Sequence, residues 1–271
     1  MANHKYTLEQ LEAAKAYLRQ RIEDELSMEK AVLDLLGAFA ERLIDLYMHG
    51  AGEVEIDALV EDLVAMLLDD CETLAVDEHT DRRDAIIPYI LREWKGETLE
   101  GRVRRRVGTL MEEVAAVYVA GTLLNKVRNE IVSAIKSSMV TPWQNPLLIE
   151  MRRKLKEGDY ALMGRMNEYG IENPSFFEER HYGRGVPVSS LVDLQRMTRF
   201  AVGEGWMYND WLDAKDNGAV GFIPKRGSSY PCDICDSRAE QFFYIGEDMP
   251  PFHLNCMCYV VWIYNDLNNN M

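Results

Sequence analysis

Apolar side chains recur at spacings of three and four over most of the first 140 residues. Thr7-Leu8-Glu9-Gln10 opens the pattern with a Thr and a Gln three residues on, an arrangement in which each side chain satisfies the other's backbone N–H. A first helix is predicted from there to about Leu26. A second runs from about Met28 to His49, with Leu33, Leu36, Phe39, Leu43 and Leu46 on one stripe and Gly50 as its stop. Ile56 to Leu68 reads as a third amphipathic helix with acidic flanks. Residues 72–81 are polar and read as a loop, and Ala85 to Trp94 as a short helix bent at Pro88. The strongest stripe follows: Val103, Val107, Leu110, Val114, Val117, Gly121 and Leu124, continued by Ile131 and Ile135. One helix over residues 98–139 would be about 60 Å long at about 1.5 Å per residue. Such a stripe must be covered by other helices or by another chain. Gly101, Gly108 and Gly121 argue against an unbroken helix.

Pro142 and Pro146 mark a change of character, and residues 157–187 carry five glycines and two prolines. The predicted organisation is a helical region over 1–140, an irregular linker over 141–187 and a C-terminal module over 188–271. Ser190 with Asp193 starts a helix from Leu191 to about Ala214, whose Met197, Phe200, Trp206 and Trp211 read as packing residues. The fold class expected is mainly α, a bundle of long helices followed by a small zinc-stabilised β-ribbon, α+β in character.

Charge alters this picture in one place. The first hundred residues hold 24 acidic and 10 basic side chains, whereas residues 101–160 hold 11 basic and 6 acidic. A chain of formal net charge −15 is repelled by phosphate and makes a poor general DNA binder. Arg102, Arg104, Arg105 and Arg106 are the candidates for contact with DNA, against the plainer reading of a solvated helix face. No apolar run is long enough to span a bilayer, and MANHKYTLEQ lacks the basic-then-apolar pattern of a secretory signal. Synthesis in a reducing cytoplasm is expected, where clustered cysteines favour metal over disulfides.

Four of the five cysteines are clustered, in SSYPCDICD and PPFHLNCMCY. Cys232 and Cys235 have the C-x2-C spacing that lets one tight turn offer two thiolates to one ion. His253 and Cys256 follow as H-x2-C, and Cys258 as C-x-C. The 17 intervening residues suit a hairpin or ribbon that returns to the first pair. Zn2+ takes four soft or borderline ligands in a tetrahedron, and a site closed by four protein ligands is structural, with no position left for substrate. The set expected is Cys232, Cys235, His253 and Cys256, with Cys258 competing as the fourth ligand. The alternative is a group of buried reduced thiols and a core histidine. Cys71 stands apart as an ordinary buried thiol.

Signatures of catalysis are missing. There is no G-x-S-x-G, no H-E-x-x-H and no phosphate-binding glycine loop in context. Pro231-Cys232-Asp233-Ile234-Cys235 matches half of a zinc-deaminase pattern, but no His-x-Glu precedes it. Asp210, Asp213 and Asp216 recur every three residues and read as an exposed acidic face rather than an acid pair.

GFIPKRGSSYPCDICD with MPPFHLNCMCYVV resembles the C-terminal region of the phage Mu protein F-like minor head proteins, the head morphogenesis proteins of tailed bacteriophages. Arg226-Gly227-Ser228-Ser229-Tyr230, Cys232 with Cys235, Pro250-Pro251 and His253-x-x-Cys256-x-Cys258 carry the likeness, with Arg196, Arg199 and Trp211-Leu212-Asp213 on the helix before them. It covers about the last third of the chain and departs at Leu254, where the family commonly has Pro. The resemblance implies a virion component rather than an enzyme. Such a protein would sit at the portal vertex or capsid interior, with portal protein and other head proteins as partners and a role in head assembly and DNA packaging or delivery. The readings that compete are a zinc-ribbon nucleic-acid-binding protein and a nuclease or toxin-like enzyme.

Overall fold

The capping arrangement at Thr7 forms as expected. The Thr7 N–H donates to Gln10 Oε1 (2.7 Å) and the Gln10 N–H to Thr7 Oγ1 (3.1 Å). It opens α1, a single helix of 42 residues, Leu8–His49. The break predicted near residue 27 does not occur: the buried face of the helix runs on through Arg21, Glu25, Met28 and Val32, and the Ser27 hydroxyl donates back to the Glu23 carbonyl (3.0 Å). The computed structural model describes residues 5–76, 80–141, 144–169, 181–182, 186–187 and 189–264.

Helix α2, Glu53–Val76, runs on through residues predicted as loop. Its last turns carry Cys71, Ala75 and Val76, all buried, and that apolar edge outweighs the polar residues between them. A 3-10 turn, Thr80–Arg82, leads into α3, Arg83–Leu91, which contains Pro88. The stripe over 98–139 is carried by two helices, α4 (Leu99–Leu123) and α5 (Arg128–Val140), in line with the glycines that argue against an unbroken one. Asn125 turns the chain at φ 53°, and Glu130 caps the new helix by accepting the Val127 N–H at 3.1 Å. Gly121 lets α5 fold back closely, since a Cβ there would lie 2.6 Å from Ile131 Cγ1.

Within the segment expected to be irregular, two helices form: α6 (Pro146–Lys156) and α7 (Tyr160–Glu168). Asn145 caps α6 by accepting the Leu147 N–H (2.9 Å), with Pro146 in the first turn, and Asp159 caps α7 through the Leu162 N–H (3.0 Å). Of the glycines that suggested a linker, Gly158 follows α6 and Gly164 lies within α7. Strands β1 (His181–Tyr182) and β2 (Val186–Pro187) pair antiparallel, and the rest of the predicted linker from 170 to 188 lies outside the described residues.

Helix α8, Ser190–Asp216, is followed by β3 (Ala219–Lys225), the one-turn helix α9 (Asp233–Asp236), β4 (Phe243–Tyr244) and β5 (Tyr259–Tyr264). The last three strands form an antiparallel sheet of order β4-β3-β5, with Phe222 opposite both Phe243 and Trp262. The architecture is thus mainly helical, with a small three-stranded sheet near the C-terminus. No helix among the described residues is long and apolar enough to cross a membrane.

The chain divides into two compact units that interleave in sequence, unlike the consecutive segments predicted. One holds residues 1–29, 69–99 and 196–271, the other 30–68 and 100–195. In the first, Met207, Phe222, Val260 and Trp262 form a core between α8 and the sheet, and Leu18 packs with Tyr259 and Val261. In the second, Val103, Val107, Leu110, Val114 and Val117 of α4 are fully buried, as their stripe predicts. Tyr47, Tyr118 and Tyr169 meet there with ring centroids 5.1–5.7 Å apart.

Candidate metal centre

The two cysteine segments converge. Strand β3 ends at Lys225, and the chain then turns so that Cys232 stands at the N-cap of α9. The turn is held by its own backbone: the Asp236 N–H donates to the Cys232 carbonyl (2.7 Å) and the Ala239 N–H to that of Cys235 (2.9 Å). Asp236 also accepts the Cys232 N–H (3.0 Å) and pairs with Arg226, whose guanidinium donates in addition to the Tyr230 carbonyl. Cys232 and Cys235 are thereby fixed on one side of the knuckle.

The second segment enters through Pro250 and Pro251, joined by a cis peptide bond, and Asn255 takes a left-handed conformation at φ 62°. The Cys256 N–H closes the turn on the His253 carbonyl at 3.0 Å. His253 Nδ1 donates to the Leu254 carbonyl (2.6 Å), so the lone pair of Nε2 is directed to the thiols. Nε2 lies 3.1 Å from Cys232 Sγ and 3.0 Å from Cys235 Sγ. Cys235 Sγ in turn lies 3.7 Å from Cys256 Sγ.

Two triads of donor atoms share Cys235, each mutually within 4.8 Å: Cys232, Cys235 and His253, and Cys235, Cys256 and Cys258. All five residues expected as ligands are brought together, and this cluster of four thiols and an imidazole can hold a metal ion. Cys256 and Cys258 precede β5 rather than lying on a strand, yet both are buried. They differ in outlook. Cys258 borders a cavity of about 60 Å³ together with Cys232, Cys235 and His253, with Arg226 beside it. Cys256 borders a separate small pocket with Glu25 and Arg199, while its sulfur stays 3.7 Å from that of Cys235.

Burial pushes the Cys235 thiol up to about 12. The Cys258 thiol donates a hydrogen bond to Cys256, which lowers the latter to about 5 and raises Cys258 itself.

Residues that sequence reasoning missed support the cluster from below. Arg21, only 1 % exposed, donates to the Cys258 carbonyl (3.1 Å) and pairs with Glu25 (3.1 Å). Arg199 spans Glu25 (3.0 Å) and Glu29 (2.5 Å) and reaches Met257 Sδ at 3.8 Å. The i,i+4 pair Arg21–Glu25 is visible in the sequence, but nothing there says that it lies under the cysteine loop. Gly227 is equally close, since a Cβ there would overlap the Met257 carbonyl. Cys71 is apart from the cluster and buried beside Met28 Sδ (3.9 Å).

The arginines singled out for DNA do not form one open basic patch. Arg102 is buried, and Arg106 pairs with the buried Asp193 at 2.7 Å. Arg104 is held by Glu61 (2.9 Å) and Glu100 (3.0 Å), while the Arg105 side chain is exposed. Near-consecutive helix positions point around the axis, so a run of arginines is not a face. Nor do the three aspartates share one exposed face. Asp213 (2.7 Å) and Asp216 (3.2 Å) both pair with Arg82, whereas Asp210 is half-buried beside Tyr17 and Trp262. Comparison with protein-family models, with curated proteins and with solved structures returned no match to this chain.

Proposed function

We propose that this chain is a structural, non-enzymatic minor head protein of a tailed phage. It docks at the portal vertex or capsid interior and supports head assembly and DNA packaging or delivery, with its C-terminal part held by one Zn2+. The observation that carries the reading is the meeting of both cysteine segments at the His253 imidazole, 3.0–3.1 Å from two thiols. This is the donor constellation by which the sequence resembles the Mu protein F-like head proteins.

The donors fit zinc. Zn2+ takes thiolate and imidazole donors in a tetrahedron, and the donor atoms of Cys232, Cys235 and His253 lie within 4.8 Å of one another. The imidazole already has its Nδ1 proton committed to a carbonyl. We assign Cys232, Cys235, His253 and Cys258 as the ligands, because these four border one cavity. Cys256 is the buried thiol next to them. Three thiolates around Zn2+ leave one negative charge, and Arg226 at the cavity is placed to offset it. Bound there, zinc would tie the turn at α9 to the segment that leads into β5, where the buried cluster consists of the cysteines with Phe252. Contact with packaged DNA is left to Arg104 and Arg105, which reach the surface.

Elemental analysis of reduced, purified protein should find one zinc per chain. Cys232→Ser, His253→Ala and Cys258→Ser should lose it, while Cys71→Ser keeps it. Retention by Cys258→Ser with loss in Cys256→Ser would transfer the fourth position to Cys256. Portal protein should co-purify with this chain from infected cells, and its absence there would end the head-protein reading whatever the zinc result.

A further inference from the structure

A cavity of about 250 Å³, apart from the thiols, opens between α1, α8 and β5 within the first unit. Alternation along β5 turns Val260, Trp262 and Tyr264 to one face, and all three line it. Ala13 and Ala14 of α1 line it as well, and their small side chains leave room that a longer residue would fill. The walls are therefore mostly apolar and aromatic. Asp210 of α8 is the charged side chain on them, and no lysine or arginine borders the cavity among the described residues.

The other polar groups there are already engaged. The Tyr17 hydroxyl donates to the Trp206 carbonyl (2.6 Å). Gln10 accepts the Thr7 N–H at Oε1 (2.7 Å) and sets Nε2 toward the Trp262 carbonyl (3.4 Å). The nearest cations are engaged too. Arg21 is held by Glu25 (3.1 Å) and by the Cys258 carbonyl (3.1 Å), and Arg82 by Asp213 (2.7 Å). Asp210 has no ion pair among the described residues. Trp262 is 8 % exposed, and its indole N–H is close enough to ease the Asp210 charge but completes no hydrogen bond among the described residues. Tyr264 is 38 % exposed and has no ring or cation against it among the described residues. A half-buried carboxylate without a counterion is unfavourable, and groups set in this way cluster at ligand sites.

The missing counterion is a cation, and the surroundings narrow its kind. Ca2+ and Mg2+ take about six or more oxygen ligands, which one carboxylate among rings cannot supply. Phosphate and carboxylate ligands would be repelled by Asp210. An ammonium ion with alkyl groups needs less: a carboxylate for its charge and aromatic rings for its polarised C–H groups. Tyr17, Trp262 and Tyr264 are the rings at hand. The volume suits a few carbons around one nitrogen, since drug-sized ligands take pockets of about 300–1,000 Å³.

We propose that this cavity binds a small organic ammonium ion, with its charge on the Asp210 carboxylate and its alkyl groups against Tyr264 and Trp262. The proposal depends neither on the metal nor on the phage-head reading. Burial raises the Asp210 carboxyl to about 7, Asp213 adds to the rise, and Trp262 and Arg21 oppose it. Burial also raises Tyr17 and Tyr264, which stay neutral through this range. The cation meets the ionised carboxyl, so affinity should grow as pH rises from 5 to 8.

Choline and Nα-acetyl-lysine amide, titrated into the full-length chain at pH 8, separate a free quaternary ion from a lysine side chain as the source. The Trp262 indole N–H signal in heteronuclear NMR, assigned through Trp262→Phe, reports occupancy of this cavity. It should shift in a saturable way with at least one of the two probes. Binding of that probe should weaken at least tenfold in Asp210→Asn, and severalfold in Tyr264→Ala and in the parent at pH 5. Asp210→Asn removes an unfavourable charge, so its melting temperature should not fall and its loss of binding is not unfolding. The absence of a saturable shift with either probe would overturn the proposal. So would equal binding by Asp210→Asn, or equal binding of dimethylbutanol, which has choline's shape without its charge.

Discussion

Asp210→Asn should stabilise the folded protein at pH 8 and change it little at pH 4. Burial is the main reason that the Asp210 carboxyl is raised from 3.8 to about 7, with Asp213 adding to the rise and Arg21 opposing it. The side chain borders a pocket of about 250 Å³ with Tyr17, Val260 and Trp262, where water solvates a carboxylate poorly. Below the unfolded value the acid is neutral in both states, and its contribution is fully present. Between about pH 4 and 7 the unfolded chain releases the proton and the folded one keeps it, so stability falls as pH rises and levels off above the folded value. A shift of about three units corresponds to about 4 kcal/mol at most. Partial exposure of the residue reduces the expected effect to about 2 kcal/mol, or a melting shift of about 4–8 °C for a chain of this size. Differential scanning calorimetry of both proteins from pH 4 to 8 measures it. A gap between variant and parent that does not grow with pH, or that closes as pH rises, would refute the reasoning.

Arg21→Met should destabilise the first unit by about 3–5 kcal/mol, because it strips a buried partner from Glu25 and from the Cys258 carbonyl; urea unfolding would read this directly, and an unchanged midpoint would count against it. Gly227→Ala should weaken zinc binding at least tenfold in competition with a chromophoric chelator, since the new methyl displaces Met257 between the two cysteines of the second segment. Gly121→Ala should cost about 1–3 kcal/mol, and Ile131→Ala in the same chain should recover part of the loss, because the added Cβ meets Ile131 at 2.6 Å. Asn145→Ala should cost about 1 kcal/mol through the lost cap of α6, seen as a lower melting temperature.

Local rules were readable one element at a time. The Thr7–Gln10 cap, the α4 stripe and the start of α8 depend on side chains within a few residues of each other, and short-range physics is written in order along the chain. The donors of the candidate metal centre were legible for a related reason. Thiols and imidazole are few, their spacing within each segment reflects a tight turn, and little else makes use of C-x2-C beside H-x2-C-x-C. Where helices end depended instead on contacts that spacing does not record. The buried face of α1 runs through the break expected near residue 27, while Asn145 and Asp159 cap helices in a stretch whose glycines suggested none.

Three matters were decided only in three dimensions. The interleaving of the two units is not written in the periodicity, because a stripe does not name its partner. The different outlooks of Cys256 and Cys258 depend on which side of the loop each sulfur leaves, and Arg21 holds that loop from a helix more than two hundred residues away. Trp211 reads along α8 as a packing residue, yet with Tyr89 and Tyr208 it lines an open groove. Periodicity tells which side chains leave water, because burial pays no heed to what lies opposite; it cannot tell what they meet, because that is fixed by the chain's return from a distance.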